Sequence, residues 1–238
     1  MMHGNRENFL LYAVTDRAWT GKQSLLEQVE LALQGGVTCV QLREKELDPA
    51  SFLEEAQKMH ELCQQYAVPL IINDHVDVAL ACHAEGIHIG QDDLPPAEVR
   101  RRVGDSMILG VSAHSLQEAR DAVKNGADYL GVGAVFATKT KTDTKPLPIE
   151  TVREICAAVS VPVVAIGGIQ KNNLLELTGT GIAGVALVRA IFGAADITAA
   201  CRTLRHLAEA ARDGAMRREM GGTKPVRKSR ILTEDHEP

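Results

Sequence analysis

Eight short apolar runs alternate along the chain with stretches of helical periodicity, and this alternation limits the possible folds more than any single motif. The runs, rich in β-branched residues, are 10–16, 39–44, 70–74, 86–90, 107–113, 129–136, 162–168 and 184–191. Most are continuously apolar, as parallel strands covered on both faces must be. Between them Leu25, Val29, Ala32 and Leu33, and again Phe52, Ala56, Met59 and Leu62, recur at helical spacing. Gly35-Gly36 and Gly126 stand where two of these helices need a left-handed cap. Three related phrases beginning at Gly35, Asn125 and Gly181 fall at equivalent helix-to-strand joints.

This order predicts one α/β domain, a (β/α)8 TIM barrel, over residues 1–212. A chain of 238 residues has the length for it. A doubly wound open sheet is the alternative. It wants a glycine fingerprint after the first strand, and Arg17-Ala18-Trp19-Thr20-Gly21 carries none. Residues 213–238 mix glycine, charge and Pro225 without apolar periodicity, which predicts a flexible charged tail.

Bulk properties exclude several classes. The net charge is −5, with six basic and five acidic residues in 213–238, so the barrel itself carries −6. An acidic body with few aromatic residues is a poor partner for nucleic acid. No apolar run approaches the ~18 residues of a membrane span, and the polar start (His3, Asn5, Arg6, Glu7) is unlike a signal peptide. Five scattered cysteines without zinc spacing suggest packing residues in a reduced, cytoplasmic protein.

Barrel active sites lie at the C-terminal ends of the strands. Those ends read Asp16; Gln41, Arg43 and Lys45; Asn73 and Asp74; Gln91 and Asp93; Ser112 and His114; Thr138 to Lys141; Gly167 and Gly168; Val188 and Arg189. Strand alternation puts Gln41, Arg43 and Lys45 on one face and Leu42 and Glu44 on the other. Asp74 and Asp93, one strand–helix unit apart, can share a hard cation such as Mg²⁺, which takes one or two carboxylates and completes its shell with water and phosphate. Taken alone, Asp74 reads rather as an N-cap of the next helix. Thr138, Lys139, Thr140 and Lys141 offer hydroxyls and cations to phosphate oxygens. Gly167-Gly168 lets backbone amides approach a phosphate, or simply makes a tight turn. His75, His83 and His88 are not expected to bind metal, and His114 is the one plausible base.

Collected in order, these residues resemble the thiamine-phosphate synthase family. The motifs are Gln-Leu-Arg-Glu-Lys (41–45), Ile-Asn-Asp (72–74), Gly-Ile-His-Ile-Gly-Gln-Asp-Asp (86–93), Gly-Val-Ser-Ala-His (110–114), Thr-Lys-Thr-Lys (138–141) and Ala-Ile-Gly-Gly-Ile (165–169). Each is weak alone; together they are specific. The resemblance implies a transferase with small-molecule substrates, joining a hydroxymethylpyrimidine diphosphate to a hydroxyethylthiazole phosphate with release of pyrophosphate. By motif, Gln41, Leu42, Arg43, Glu44, Lys45, Asn73 and Lys141 would hold the pyrimidine diphosphate, with Arg43, Lys45 and Lys141 catalytic. Asp74 and Asp93 would ligate Mg²⁺. Ser112 would contact the aminopyrimidine. Thr138, Lys139, Thr140 and Gly168 would hold the thiazole phosphate. Val188-Arg189 stands where the family often has a small hydroxylated residue. A thiazole tautomerase on the same barrel, using a histidine such as His114, and a silent thiazole-phosphate binder are the rival readings.

Overall fold

The structure, a computed structural model, describes residues 5–21, 23–137 and 146–219. Eight parallel strands close in chain order: β1 (Leu11–Val14), β2 (Cys39–Leu42), β3 (Leu70–Asn73), β4 (Gly86–Ile89), β5 (Ile108–Ala113), β6 (Tyr129–Gly133), β7 (Val163–Ile166) and β8 (Gly184–Leu187). Leu11 of β1 pairs with Val185 of β8 and completes the ring. The helices are α1 (Leu25–Gln34), α2 (Pro49–Gln65), α3 (Val76–Ala81), α4 (Pro96–Val103), α5 (Leu116–Lys124), α6 (Ile149–Ala158), α7 (Arg189–Phe192) and α8 (Ile197–Glu219). The TIM barrel expected from the alternation is therefore present.

Local chemistry fixes the helix starts. Ser24 and Glu27 form a capping box before α1, and Asp48 accepts the Ala50 and Ser51 amides before the Pro49 turn of α2. At the helix-to-strand joints Gly36 and Gly126 adopt φ of 92° and 93°, the left-handed region anticipated there. Three features depart from the sequence reading. The eighth run stops as a strand at Leu187, and Arg189–Phe192 turns into α7. After β7 a 3-10 turn, Leu174–Leu177, stands in place of a helix and packs on α8. Finally, α8 runs past Asp213 to Glu219, so the boundary expected at 212 falls inside a helix. Buried Ala208 and Ala211 and the Arg212–Glu7 ion pair (2.8 Å) tie its later turns to the barrel. Residues 220–238 of the expected tail lie outside the described residues. No described helix is long and apolar enough to cross a membrane.

The core has two layers. The outer one lies between strands and helices and includes Val40, Leu42, Phe52, Met59, Leu70, Ile72 and Leu130. The inner one fills the barrel with Tyr12, Cys39, Ile71, Ile108, Tyr129, Val164 and Ala186, and Phe9 plugs its base. Tyr129 fits because strand β5 offers Gly110 opposite it: a Cβ there would lie 2.1 Å from the Tyr129 ring. Phe9 stacks on Tyr129 with centroids 4.4 Å apart. A closed, plugged base leaves the other end of the barrel as the open one.

Candidate active site

Above the inner layer lies a cavity of about 830 Å³, open to solvent at the C-terminal ends of the strands. Its lining combines apolar walls with Asp16, Gln41, Arg43, Asn73, Ser112, His114, Gly168, Val188 and Arg189. A few polar groups in a mostly apolar pocket of this size suit small heteroaromatic ligands.

Gln41 and Arg43 line the cavity, as alternation along β2 predicts, whereas Lys45, expected on the same face, is not among the residues lining it. Buried Thr15 pins this strand end, its hydroxyl accepting the Arg43 amide (3.0 Å), and Asp16 faces the Arg43 guanidinium at 3.7 Å. The other face differs from the motif-based expectation. Leu42 is buried in the outer core. Glu44, 4% exposed, pairs with Arg17 and accepts the amides of Lys45, Glu46 and Leu47. Burial alone would raise its pKa, but the Glu46 amide, Arg17 and the Lys45 amide more than offset this and hold it below the usual range. Neither residue faces the cavity; Glu44 instead shapes the loop that presents Arg43 and Lys45. Glu44→Ala should therefore lower stability by about 2–3 kcal/mol, the worth of hydrogen bonds to a buried charge. Thermal unfolding checks this. An unchanged melting temperature with a raised substrate KM would instead make Glu44 a substrate contact.

The acidic pair is assembled across two strand ends. Asp74 sits at φ 65°, a left-handed conformation that aspartate tolerates, and its amide donates to the His88 carbonyl (2.9 Å). It does not cap α3, whose N-cap is His75. Asp93 accepts the Gly90 amide at 2.7 Å and meets the Asp74 carboxyl in a hydrogen bond. Burial, the hydrogen bond that protonated Asp74 donates to Asp93, and the Asp93 charge push Asp74 up to about 6, while nearby Lys45 and Asn73 pull it down. Two carboxylates brought together in this way have the donor chemistry of a hard-cation site. Among the described residues no cluster of three or more metal-ligating side chains exists. A cation here would take two protein carboxylates and draw its other oxygens from water and ligand, which suits Mg²⁺.

The cavity floor holds a hydrogen-bonded chain that sequence reading missed. Gln41 Nε2 donates to the Tyr12 hydroxyl (2.9 Å), which meets the Tyr129 hydroxyl at 2.8 Å. Tyr129 lies 2.9 Å from His88 Nδ1, and His88 Nε2 lies 2.9 Å from Ser112 Oγ. Burial pushes both phenols well above their ordinary pKa, so they stay neutral. Period-2 counting could have found this set. Tyr12, Gln41, His88, Ser112 and Tyr129 all occupy inward positions of their strands.

On the far wall Gly167 and Gly168 have φ of 96° and 67°, which only glycine adopts freely. Asn173 Nδ2 donates to the Gly168 carbonyl (3.1 Å) and its Oδ1 accepts the Gln170 amide (2.7 Å), shaping this loop. Val188 and Arg189 line the rim, with the Arg189 guanidinium 5.8 Å from the Trp19 ring centroid. Thr138, Lys139, Thr140 and Lys141 lie outside the described residues. His114 reaches the cavity and pairs with Glu118 (3.1 Å). His75 packs on Phe52. Four cysteines are buried and Cys156 is partly so; burial pushes Cys63, Cys156 and Cys201 up to about 12, consistent with packing roles.

Comparison with known proteins agrees with this geometry. A family model described as thiamine monophosphate synthase matches residues 11–191. A thiamine-phosphate synthase of Clostridium tetani is 48% identical over 203 residues, covering 85% of this chain and 97% of its own. One from Chloroflexus aurantiacus is 47% identical over 207 residues, covering 87% and 95%. Among solved structures, a thiamine phosphate pyrophosphorylase from Pyrococcus furiosus superposes with a TM-score of 0.80 at 38% identity, covering 87% of this chain and 98% of that one.

Proposed function

Since the chain belongs to the thiamine-phosphate synthase family, we propose that it joins hydroxymethylpyrimidine diphosphate to hydroxyethylthiazole phosphate by a dissociative substitution. The observation that carries this reading is the shared cavity. Arg43 and Asn73 line one side of it. Asp74 follows Asn73 directly at the end of β3, with Asp93 and Lys45 beside it. The glycine loop after β7 stands on another wall.

In this reading the C–O bond between the pyrimidine methylene and the diphosphate breaks first. The electron pair leaves with pyrophosphate, and the aminopyrimidine ring stabilises the methylene cation. The thiazole nitrogen lone pair then forms the new C–N bond. No proton is transferred, so no general base is needed. Arg43 and Lys45, joined by Lys141 on motif grounds, neutralise the charge that grows on the leaving group. Gln41 and Asn73 hold the pyrimidine diphosphate, and Ser112 contacts the ring. Thr138, Lys139, Thr140 and Gly168, with Val188 and Arg189 at the rim, hold the thiazole phosphate close to the cation. Asp74 and Asp93 would hold Mg²⁺, which when bound supplies positive charge to the diphosphate oxygens.

Identification of the product by mass spectrometry tests the reaction class: thiamine phosphate is expected. His114, lining the cavity beside Glu118, is the observation that favours the tautomerase alternative. Proton exchange into the thiazole without coupling would establish that alternative.

The Asp74 carboxyl gives a pH prediction. Its folded value, about 6, lies above the ordinary 3.8. The folded state therefore binds a proton that the unfolded chain has lost, and this contribution to stability disappears as pH rises through about 6. A cation must displace that proton. Mg²⁺ should thus raise the melting temperature more at pH 7.5 than at pH 5. Equal shifts at both pH values would argue against binding at this pair.

A further inference from the structure

We propose that Gln41, Tyr12, Tyr129 and His88 form a one-directional hydrogen-bond chain that turns the Ser112 hydroxyl proton toward the substrate, which makes Tyr129 and His88 positioning residues for the pyrimidine ring. The proposal rests on the reading above that the pyrimidine lies at Ser112.

The direction follows from what each atom can give. An amide Nε2 can only donate, so Gln41 spends a proton on the Tyr12 oxygen. A phenol has one proton, and that of Tyr12 has the Tyr129 oxygen at 2.8 Å to receive it. Tyr129 then gives its own proton to His88 Nδ1 at 2.9 Å, which requires that nitrogen to be bare. The neutral ring therefore carries its proton on Nε2, 2.9 Å from Ser112 Oγ, and donates it there. The serine oxygen is thus an acceptor within the chain, and its own proton is left for a ligand in the cavity. Such a donor suits a ring nitrogen lone pair. Turning the Gln41 amide over would run the chain backwards. Ser112 would then give its proton to His88 and offer only lone pairs. The two directions recognise opposite partners, so the sense of the chain sets the chemistry of the site.

The surroundings hold the chain in place. Tyr12 and Tyr129 are 1% and 0% exposed and His88 is 8% exposed. Phe9 stacks beneath Tyr129 and closes the barrel base. Gly131 leaves room for the His88 ring: a Cβ there would lie 3.0 Å from its Cε1. Phenols buried this deeply need hydrogen-bond partners, and this chain supplies one to each.

Two measurements decide the matter. Nitrogen-15 shifts of His88 in the wild-type protein at pH 7 should show a protonated Nε2 and a bare Nδ1. A protonated Nδ1, or an imidazolium, overturns the proposal, and this arm needs no activity. The second is a double-mutant cycle. Tyr129→Phe keeps the ring and cuts the chain, and should raise the pyrimidine KM about fivefold, one hydrogen bond's worth, without moving the thiazole KM. In the Ser112→Ala background the same change should have almost no further effect, because the proton it directs is gone. Equal effects in both backgrounds, or equal effects on both substrates, would reduce Tyr129 to a packing residue and overturn the proposal. If the wild-type protein forms no thiamine phosphate, the functional reading fails instead, and the His88 tautomer alone decides whether the chain runs as described.

Discussion

Asp93→Ala should lower turnover by two orders of magnitude or more while leaving the melting temperature almost unchanged. A cation that neutralises a leaving group is worth several kcal/mol to the transition state, on the order of 10²–10⁴ in rate. Asp93 is exposed in the loop after β4, and its bond to the Gly90 amide is a loop contact, so the fold has little to lose. The companion variant at the other carboxylate should be Asp74→Asn. Asp74 has φ 65°, and alanine in that region costs roughly 1–2 kcal/mol, whereas asparagine tolerates it. In the absence of metal Asp74→Asn should if anything stabilise the fold, because it removes a carboxylate that burial and Asp93 disfavour. Steady-state kinetics with a Mg²⁺ titration, beside calorimetry, gives both readings. Full turnover by either variant would remove the acidic pair from the mechanism.

Gly168→Val should raise the thiazole KM at least tenfold and leave the pyrimidine KM within a factor of about two, since it removes ground-state binding of one substrate. A Cβ at Gly168 would sit 2.6 Å from the carbonyl oxygens of both Phe136 and Ala137. Those are backbone atoms, and no side chain can rotate away to relieve the clash. With φ at 67° the residue is strained as well. The loop after β7 and segment 134–137 must therefore separate. That segment leads in sequence into Thr138 and Lys139, which the family motif assigns to the thiazole phosphate. Lys141→Ala, by contrast, should act mainly on kcat, because its charge matters most as pyrophosphate departs. Measured KM values for the two substrates separate these cases. A Gly168→Val enzyme with weakened pyrimidine binding and intact thiazole binding would mean that the two pockets are reversed.

The ring of strands was legible because each strand is a short apolar run between helical patterns, and every strand begins within one residue of its expected start. Strand ends were less legible. Val188 and Ile191 extend the apolar run of β8, but Arg189–Phe192 curls into a helix whose apolar side is also buried. A short apolar run does not distinguish these outcomes. Glycine was one of the marks of the expected tail, and Gly214 lies at its start. In the fold a glycine is what lets α8 pass Thr178, where a Cβ would lie 2.5 Å from its methyl. At the site, alternation placed Gln41 and Arg43 on the cavity wall. It also set Glu44 on the opposite face, where its partner, Arg17, lies 27 residues away in sequence. Pairings of that span are set by tertiary structure and leave no local trace. The floor chain was hidden for a different reason. Tyr12, His88 and Tyr129 belong to apolar runs and read as packing. Only inward register, taken together on five strands, brings them to one place.

The central claim is a condensation that needs both substrates and a divalent cation. Pyrophosphate release is its most direct readout. With both substrates and Mg²⁺ the purified protein should release pyrophosphate and thiamine phosphate in equal amounts, and EDTA should abolish both. Sustained pyrophosphate release from the pyrimidine diphosphate alone at the same rate, or undiminished coupling in EDTA, would contradict the account.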